Sequence, residues 1–156
     1  MPALSIGTQA PAFELLNQNN ETVTLEQYKG KPLVVYFYPK DETPGCTAEA
    51  CAFRDQYEEF KDSGAEVIGI SSDSVASHKS FAENRRLSFQ LLSDPRNKVA
   101  KAYGVKKSLF GLIPGRETFV LDGEGFIRHH FSSQTNIQGH IGEALKVIQQ
   151  FAARGE

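Results

Sequence analysis

Residues 33–51 read LVVYFYPKDETPGCTAEAC and contain the elements that decide the fold. The run from Val34 to Tyr38 is almost entirely β-branched and aromatic, which predicts a strand buried on both faces. Pro39 ends this strand. Apolar and aromatic residues then recur at spacings of three and four, which predicts a helix from about Thr47 to Lys61. The stretch therefore predicts a buried strand that leads directly into a helix.

The rest of the chain alternates strands and helices before ending in a hairpin and a helix. The predicted elements are a hairpin over 12–16 and 22–25, strands over 66–71 and 89–92, helices over 74–84 and 96–103, a hairpin over 118–121 and 126–131, and a helix over 137–153. Parallel βα units followed by a hairpin indicate a mixed sheet with helices on both faces. We therefore expect one α/β domain over residues 1–156 with an N-terminal β-hairpin.

Length and charge restrict the function classes. A chain of 156 residues can bury roughly 70% of its unfolded surface, so it needs no disulfide for stability. The net charge of −2 gives no electrostatic reason to expect nucleic acid as a partner. The sequence shows no apolar run of about 20 residues and no signal-peptide pattern in residues 1–8. We therefore expect a cytoplasmic or mature organellar protein that binds small molecules or other proteins and spans no membrane.

Cys46 and Cys51 are the only cysteines in the chain. On a continuous helix their Cα atoms would lie about 140° apart around the axis and roughly 7.5 Å apart along it, which gives a separation of roughly 8.7 Å. A disulfide needs backbone movement beyond ~7 Å. The pair is therefore a poor permanent cross-link and suits a redox couple that closes when the helix partly unwinds.

The two cysteines are predicted to differ in reactivity. If Thr43 or Asp41 caps the helix and Pro44 lies in its first turn, Cys46 is close to backbone N–H groups that lack intrahelical partners. The helix dipole favours a thiolate at this position, whereas nothing local activates Cys51. This asymmetry indicates a cysteine that becomes a sulfenic acid and a second that condenses with it. Two inert, buried thiols are the alternative.

The residues before Cys46 resemble a known family signature. Pro39, Thr43 and Cys46 match the Pro-x-x-x-Thr-x-x-Cys motif of peroxiredoxins, and residues 44–51 are similar to the bacterioferritin-comigratory or peroxiredoxin Q subfamily. The likeness covers the whole chain, because the segments GTQAPAF at 7–13 and PGRETFVLD at 114–122 also resemble the family. The second of these segments is similar to the one that carries the family's active-site arginine.

The resemblance implies a thioredoxin-like fold, with Cys46 as the peroxidatic and Cys51 as the resolving cysteine. Peroxide cleavage leaves negative charge on the departing oxygen, so hydrogen-bond donors should face it. The Thr43 hydroxyl, the Arg116 guanidinium and backbone N–H groups near Gly45 are expected donors. Pro39 is expected to help shield the thiolate from water.

A solvated charge is the alternative for Arg116. Glu49 is expected either to orient Arg116 or to be an exposed helix glutamate.

The implied activity is reduction of hydrogen peroxide and organic hydroperoxides through a sulfenic acid and an intramolecular disulfide. Thioredoxin or a similar dithiol would reduce the disulfide, and the resemblance implies a monomer. A redox-regulated binding or sensor protein that uses the same disulfide is the alternative. No cofactor is expected.

Metal and nucleotide sites are disfavoured. Zinc could be bound by the two cysteines with His78, His129, His130 or His140, but no pair among these residues has zinc-finger spacing. A thioredoxin would normally carry Cys-x-x-Cys, which this chain lacks. The segment at 122–125, DGEG, lacks the third glycine of a dinucleotide fingerprint and is better interpreted as a turn.

Overall fold

The computed structural model describes residues 5–108 and 113–154. Within these residues, nine strands (β1–β9) are formed by Glu14–Asn17, Thr22–Thr24, Leu33–Phe37, Glu66–Ser71, Gln90–Ser93, Lys107–Ser108, Ile113–Pro114, Glu117–Leu121 and Ile127–Ser132. The four α-helices of the same residues (α1–α4) are Pro44–Asp62, Val75–Arg85, Lys98–Ala102 and Ile137–Arg154. Among these described helices, none is both long and apolar enough to cross a membrane.

Strand β3 is an interior strand of a seven-stranded sheet with the order β2-β1-β5-β4-β3-β8-β9. It pairs in parallel with β4, where Val35 lies opposite Ile68, and antiparallel with β8, where Val35 lies opposite Phe119. All five residues of β3 are buried, because its side chains pack into apolar clusters on both faces of the sheet. The predicted mixed sheet with a strand buried on both faces is confirmed.

Each face of the sheet carries its own apolar cluster. Alternating residues of a strand point to opposite faces, so Val34 and Tyr36 join one cluster while Val35 and Phe37 join the other. The first cluster includes side chains of α1, α2 and α4, and the second includes side chains of α3 and the N-terminal segment. Helices therefore cover both faces, as predicted for a thioredoxin-like fold.

The N-terminal hairpin forms as predicted and extends the sheet. Leu15 of β1 lies opposite Val23 of β2, and β1 also pairs antiparallel with β5. The predicted hairpin near the C-terminus is formed by β8 and β9, with Val120 opposite His129.

The helix predicted over residues 96–103 forms only as the short helix α3. Arg96 and Asn97 have φ values of 61° and 55°, which a regular α-helix cannot include. The buried Asp94 carboxylate accepts hydrogen bonds from two backbone N–H groups of α3, at 2.9 and 3.0 Å. This capping residue lies outside the apolar pattern, so the pattern misplaced the start of the helix.

Helix α1 begins at Pro44, before the predicted start at Thr47. Proline suits the first helical position because the missing N–H would have no intrahelical partner there. Thr43 occupies the N-cap position, but its hydroxyl donates to the carbonyl oxygen of Lys40 at 2.8 Å and makes no capping hydrogen bond. The Asp41 carboxylate binds side chains of α2 instead. The predicted side-chain cap is therefore wrong, because the loop before the helix uses both side chains.

Candidate active site

Cys46 lies in the first turn of α1, directly after the loop that follows β3. Its side chain is 1% exposed and belongs to the same apolar cluster as Tyr36 and Tyr38. The hydrogen bond from Thr47 N to Thr43 O, at 2.8 Å, closes the first helical turn. N–H groups earlier in this turn point out of the helix N-terminus, where they and the helix dipole favour negative charge.

Arg116 reaches this turn from the neighbouring strand of the sheet. It directly precedes β8, which pairs with β3, and it is 6% exposed. Its Nη1 donates to Glu49 Oε1 at 2.7 Å and its Nε to the carbonyl oxygen of Gln134 at 3.3 Å. Burial alone would lower the pKa of Arg116, but the charges of Glu49 and Cys46 and hydrogen bonds to both raise it. The guanidinium therefore stays charged beside Cys46.

Gly45 makes the close approach of Arg116 to the first turn possible. A Cβ atom at this position would lie 2.9 Å from Arg116 Nη2, which is closer than real Cβ contacts come. Any other residue at position 45 would displace the guanidinium or the turn. The missing side chain of Gly45 therefore leaves room for the guanidinium, in addition to the backbone N–H group that Gly45 supplies.

Glu49 is fully buried on α1 between the two cysteines. The alternative of an exposed helix glutamate is therefore wrong. Burial raises the pKa of Glu49 to about 7, although the charge and hydrogen bond of Arg116 oppose this change. Oε1 accepts the hydrogen bond from Arg116, whereas Oε2 has no hydrogen-bond partner in the described part of the chain. The carboxyl group thus takes up a proton near neutral pH, and Oε2 is free to carry it.

His140 of α4 lies beside Glu49, with Nδ1 at 3.7 Å from Glu49 Oε2. Its Nε2 lies 2.7 Å from the carbonyl oxygen of Ser133, which can only accept, so we assign the proton to Nε2. Nδ1 then accepts from the Thr118 hydroxyl at 2.7 Å. Burial lowers the pKa of His140 to about 4, so the ring is neutral at physiological pH. The sequence indicated His140 only as a candidate metal ligand. Its position next to Ile141, on the apolar face of α4, could have predicted that the ring is buried.

Thr43 and Pro39 lie in the loop between β3 and α1, and both are half-buried. Because the Thr43 hydroxyl donates to Lys40, its oxygen offers lone pairs in this conformation. It can accept a hydrogen bond from a peroxide O–H. The donor role expected from the sequence would require the hydroxyl to rotate away from Lys40.

Both cysteines are free thiols, with Cys46 buried and Cys51 half-buried. Helix α1 is continuous from Pro44 to Asp62, so helical geometry keeps the two Cα atoms roughly 8.7 Å apart. A disulfide would need them within ~7 Å. The reduced state therefore has an intact helix, and the bridge can form only when α1 opens.

The four histidines do not converge on the cysteines. Each has a different polar side chain as its neighbour. His78 lies against Asp41, and His129 against Glu143. His130 lies against Glu117, and His140 against Thr118. Over residues 5–108 and 113–154, one group, Asp41, Asp73 and His78, has ligand atoms close enough to hold a metal ion. Both ring nitrogens of His78 already have partners, the Asp41 carboxylate and the Leu92 carbonyl oxygen.

This arrangement is that of a thiol-based redox enzyme on a thioredoxin-like scaffold. The reactive position lies at a helix N-terminus beside a buried arginine, and a second thiol lies on the same helix. The chain belongs to the AhpC/TSA family, which matches residues 6–130. The matched residues include both cysteines and Arg116.

Curated relatives identify the subfamily that the chain resembles. It is 56% identical over 146 residues to the chloroplastic peroxiredoxin Q of Triticum aestivum, covering 94% of this chain and 67% of the relative. The chloroplastic peroxiredoxin Q of Populus jackii is 54% identical over 143 residues, covering 92% of this chain and 67% of the relative. The predicted resemblance to peroxiredoxin Q is confirmed.

Solved structures confirm the thioredoxin-like fold. The peroxidoxin BcpB of Mycobacterium tuberculosis has a TM-score of 0.87 and 37% identity, covering 94% of this chain and 97% of the other. The Xanthomonas campestris bacterioferritin comigratory protein, described with alkyl peroxide reduction activity, has a TM-score of 0.85 and 31% identity, covering 95% and 99%. The protein is therefore a thiol-dependent peroxidase of the atypical two-cysteine type, which acts on peroxide and is regenerated by a thioredoxin-like reductant.

Proposed function

We propose that Cys46 is the residue that attacks the peroxide. Its thiolate sulfur bonds to one peroxide oxygen while the O–O bond breaks, and the departing oxygen takes up a proton. The products are Cys46 sulfenic acid and water or an alcohol. The observation that carries this assignment is the contact between buried Cys46 and the charged Arg116 at the start of α1.

The groups around Cys46 suit the charge that develops in this step. The Arg116 guanidinium and the N–H groups of Gly45 and Cys46 donate toward the departing oxygen, where such donors stabilise the transition state. Thr43 Oγ1 accepts from the peroxide O–H and thereby orients the substrate. Pro39 is half-buried in the loop between β3 and α1 and limits access of water. Hydrogen peroxide and organic hydroperoxides share the reacting O–O bond, so both are expected substrates.

We propose that Cys51 resolves the sulfenic acid. The Cys51 thiolate attacks the sulfur of Cys46, an S–S bond forms, and the S–O bond breaks to release water after protonation. The first turn of α1 must open before this attack, because the intact helix holds the two residues too far apart. A dithiol donor such as thioredoxin then returns both cysteines to thiols by disulfide exchange.

The test is to add one equivalent of peroxide to the reduced protein and to follow free thiols and mass. Wild type should lose both thiols to an intramolecular bridge. Cys46→Ser should not reduce peroxide, while Cys51→Ser should complete one turnover and leave a sulfenic acid open to overoxidation. Loss of activity to the same extent in both variants would contradict the assigned roles.

We also propose that residues 1–156 form one domain that works as a monomer without a metal or other cofactor. Support for one domain comes from the seven-stranded sheet, which contains both β1 and β2 near the start of the chain and β8 and β9 near its end. We propose a cytoplasmic location, with a mature organellar form as the alternative that the chloroplastic relatives favour.

A further inference from the structure

Asp41 firmly attaches the loop before α1 to α2. Its buried carboxylate accepts hydrogen bonds from the hydroxyls of Tyr38 and Ser77, at 2.6 and 2.8 Å. His78 Nδ1 lies 2.7 Å from the same carboxylate, and His78 Nε2 lies 3.0 Å from the carbonyl oxygen of Leu92. A carbonyl oxygen only accepts, so Nε2 donates to Leu92. Withdrawing Asp41 would leave these buried hydroxyl and imidazole groups without their partner, so the contacts favour an Asp41 that stays in place when the chain after it moves.

Glu42, the next residue, is held by weaker contacts. Its side chain is exposed and accepts hydrogen bonds from Asn84 Nδ2 at 2.9 Å and Arg85 Nη2 at 3.0 Å. The hydrogen bond from Asn84, with the bond and charge of Arg85, lowers the pKa of Glu42, so the carboxylate is ionised. The φ of Glu42 is 63°, a left-handed conformation that is unfavourable for residues with a Cβ atom. Exposed contacts therefore hold a strained residue two positions before Pro44.

We propose that Glu42 is the hinge at which the first turn of α1 opens for disulfide formation, and that its contacts with Asn84 and Arg85 are a latch that keeps the turn closed. This inference rests on the proposed resolution of Cys46 by Cys51. Hinges are residues at the ends of elements that absorb a large change in φ and ψ. Leaving the left-handed region relieves the strain at Glu42 and redirects the chain that leads to Cys46. The same rotation moves the Glu42 carboxylate away from α2.

The latch acts on the second chemical step and leaves the first unchanged. Peroxide attack uses the closed turn, which holds Cys46 beside Arg116, whereas disulfide formation uses the open turn. When the closed turn is the large majority, a modest weakening multiplies the open population and hardly changes the closed one. Loss of one exposed ion pair weakens the closed turn by such a modest amount. Salt screens the attraction between exposed charges and therefore has the same effect. Glu42 is thus a positioning residue that sets the balance between resolution and overoxidation.

The test uses Glu42→Gln, which removes the ion pair with Arg85. After rapid mixing with hydrogen peroxide, formation of sulfenic acid and of the disulfide are followed as separate phases. The variant should form the disulfide about twofold to fivefold faster, with an unchanged rate of peroxide attack. At high peroxide, the fraction of sulfinic acid should fall by a similar factor. Added salt should accelerate the disulfide step of wild type but not that of Glu42→Gln.

Glu26→Gln is the matched control, because Glu26 forms an exposed ion pair with Lys29, outside the loop and both helices of the latch, and its loss changes the net charge equally. Exchanging the charges, with Glu42→Arg and Arg85→Glu together, should restore the slow disulfide step. An unchanged disulfide rate in Glu42→Gln, or equal acceleration in Glu26→Gln, would overturn the hinge. Slower peroxide attack without faster closure would overturn it as well. Absence of the disulfide in wild type would instead contradict the proposed role of Cys51.

Discussion

Arg116 and Glu49 depend on each other for their positions beside Cys46. The guanidinium is buried and needs a charged partner, and Glu49 Oε1 is that partner at 2.7 Å. Burial nevertheless favours the neutral form of Glu49, whose pKa rises to about 7. The charge of this pair therefore changes near neutral pH, while Arg116 itself stays protonated.

Replacing the polar groups around the peroxide should slow the first step. Arg116→Ala and Thr43→Val should each lower kcat/KM for peroxide by roughly a hundredfold or more, as expected for groups that contact the transition state. Stopped-flow measurements over a range of peroxide concentrations give this constant. Arg54→Ala, on the same helix, should stay close to wild type because its partners are Asp55 and the Arg85 carbonyl. Wild-type rates in Thr43→Val or Arg116→Ala would remove that residue from the site.

Glu49 should make folding stability depend on pH. Its pKa rises from 4.5 to about 7 on folding, so between these values only the folded state holds the proton, and stability falls as pH rises. His140 has the opposite effect, because its pKa falls from 6.5 to about 4 and only the unfolded state is protonated between them. The two contributions offset each other between pH 4.5 and 6.5 in wild type.

Glu49→Gln should therefore gain stability relative to wild type as pH rises from 4.5 to 7, by at most about 3 kcal/mol. The glutamine oxygen can still accept from Arg116, so the fold is kept. Urea unfolding at several pH values measures the difference. Glu124→Gln, in the exposed turn between β8 and β9, should follow the wild-type curve. Parallel curves for Glu49→Gln and wild type would contradict the raised pKa.

At the scale of elements, α1 has two conflicting tasks. The helix must be intact to hold Cys46 against Arg116, and its first turn must open before Cys51 can react. The residues after Cys51 are secured by packing, since Phe53, Tyr57 and Phe60 are all buried in the cluster below the helix. At the start of the helix, only the small side chains of Cys46 and Ala50 are buried in this cluster. Opening is therefore expected to be confined to the start of the helix.

Weakening the helix between the cysteines should accelerate disulfide formation. Ala48 is exposed, and glycine is less favourable than alanine in a helix by about 0.8–1.0 kcal/mol. Ala48→Gly should therefore increase the rate of disulfide formation about fourfold to fivefold, with little effect on peroxide attack. Rapid-mixing kinetics with one equivalent of peroxide provides the measurement. Glu58→Gly, exposed beyond Cys51 on the same helix, is the control. The same acceleration in Glu58→Gly would mean that the whole helix opens.

At the scale of the whole molecule, the sheet brings the site together. Cys46 follows β3, Arg116 precedes β8, and His140 belongs to α4, which packs on α1 and β8. Neighbouring strands thus place residues 46 and 116 side by side although they are distant in sequence. The second apolar cluster packs against β3 and β8 on the opposite face of the sheet.

The protein should be monomeric in both redox states. Among the described residues, Ile6 and Leu16 are the large apolar side chains that are exposed, at 62% and 39%. Two isolated side chains do not form the extended apolar patch that a stable interface needs. Sedimentation equilibrium should give a mass near 17.2 kDa for the reduced and for the oxidised protein. A concentration-dependent mass of twice this value would contradict the prediction.

Elements with strong local signals were predictable from the amino-acid sequence. The apolar run of β3, the period of α1 and the two hairpins were predicted correctly because side-chain patterns of period two and 3.6 reflect burial directly. The motif around Cys46 also predicted the family and the peroxidase activity. Local patterns failed where a distant side chain decided the outcome, as at α3, whose start depends on the buried Asp94.

The charge state of the site and the contacts that hold its residues in place depend on how distant segments pack together. Whether Glu49 faces Arg116 or solvent depends on the pairing of β3 with β8, which no local pattern reports. Thr43 could have capped α1, but its hydroxyl is bound to Lys40 in the loop. The contacts of Glu42 likewise depend on how α2 packs beside the loop. Burial and long-range hydrogen bonds set protonation and opening, and both arise only when distant segments meet.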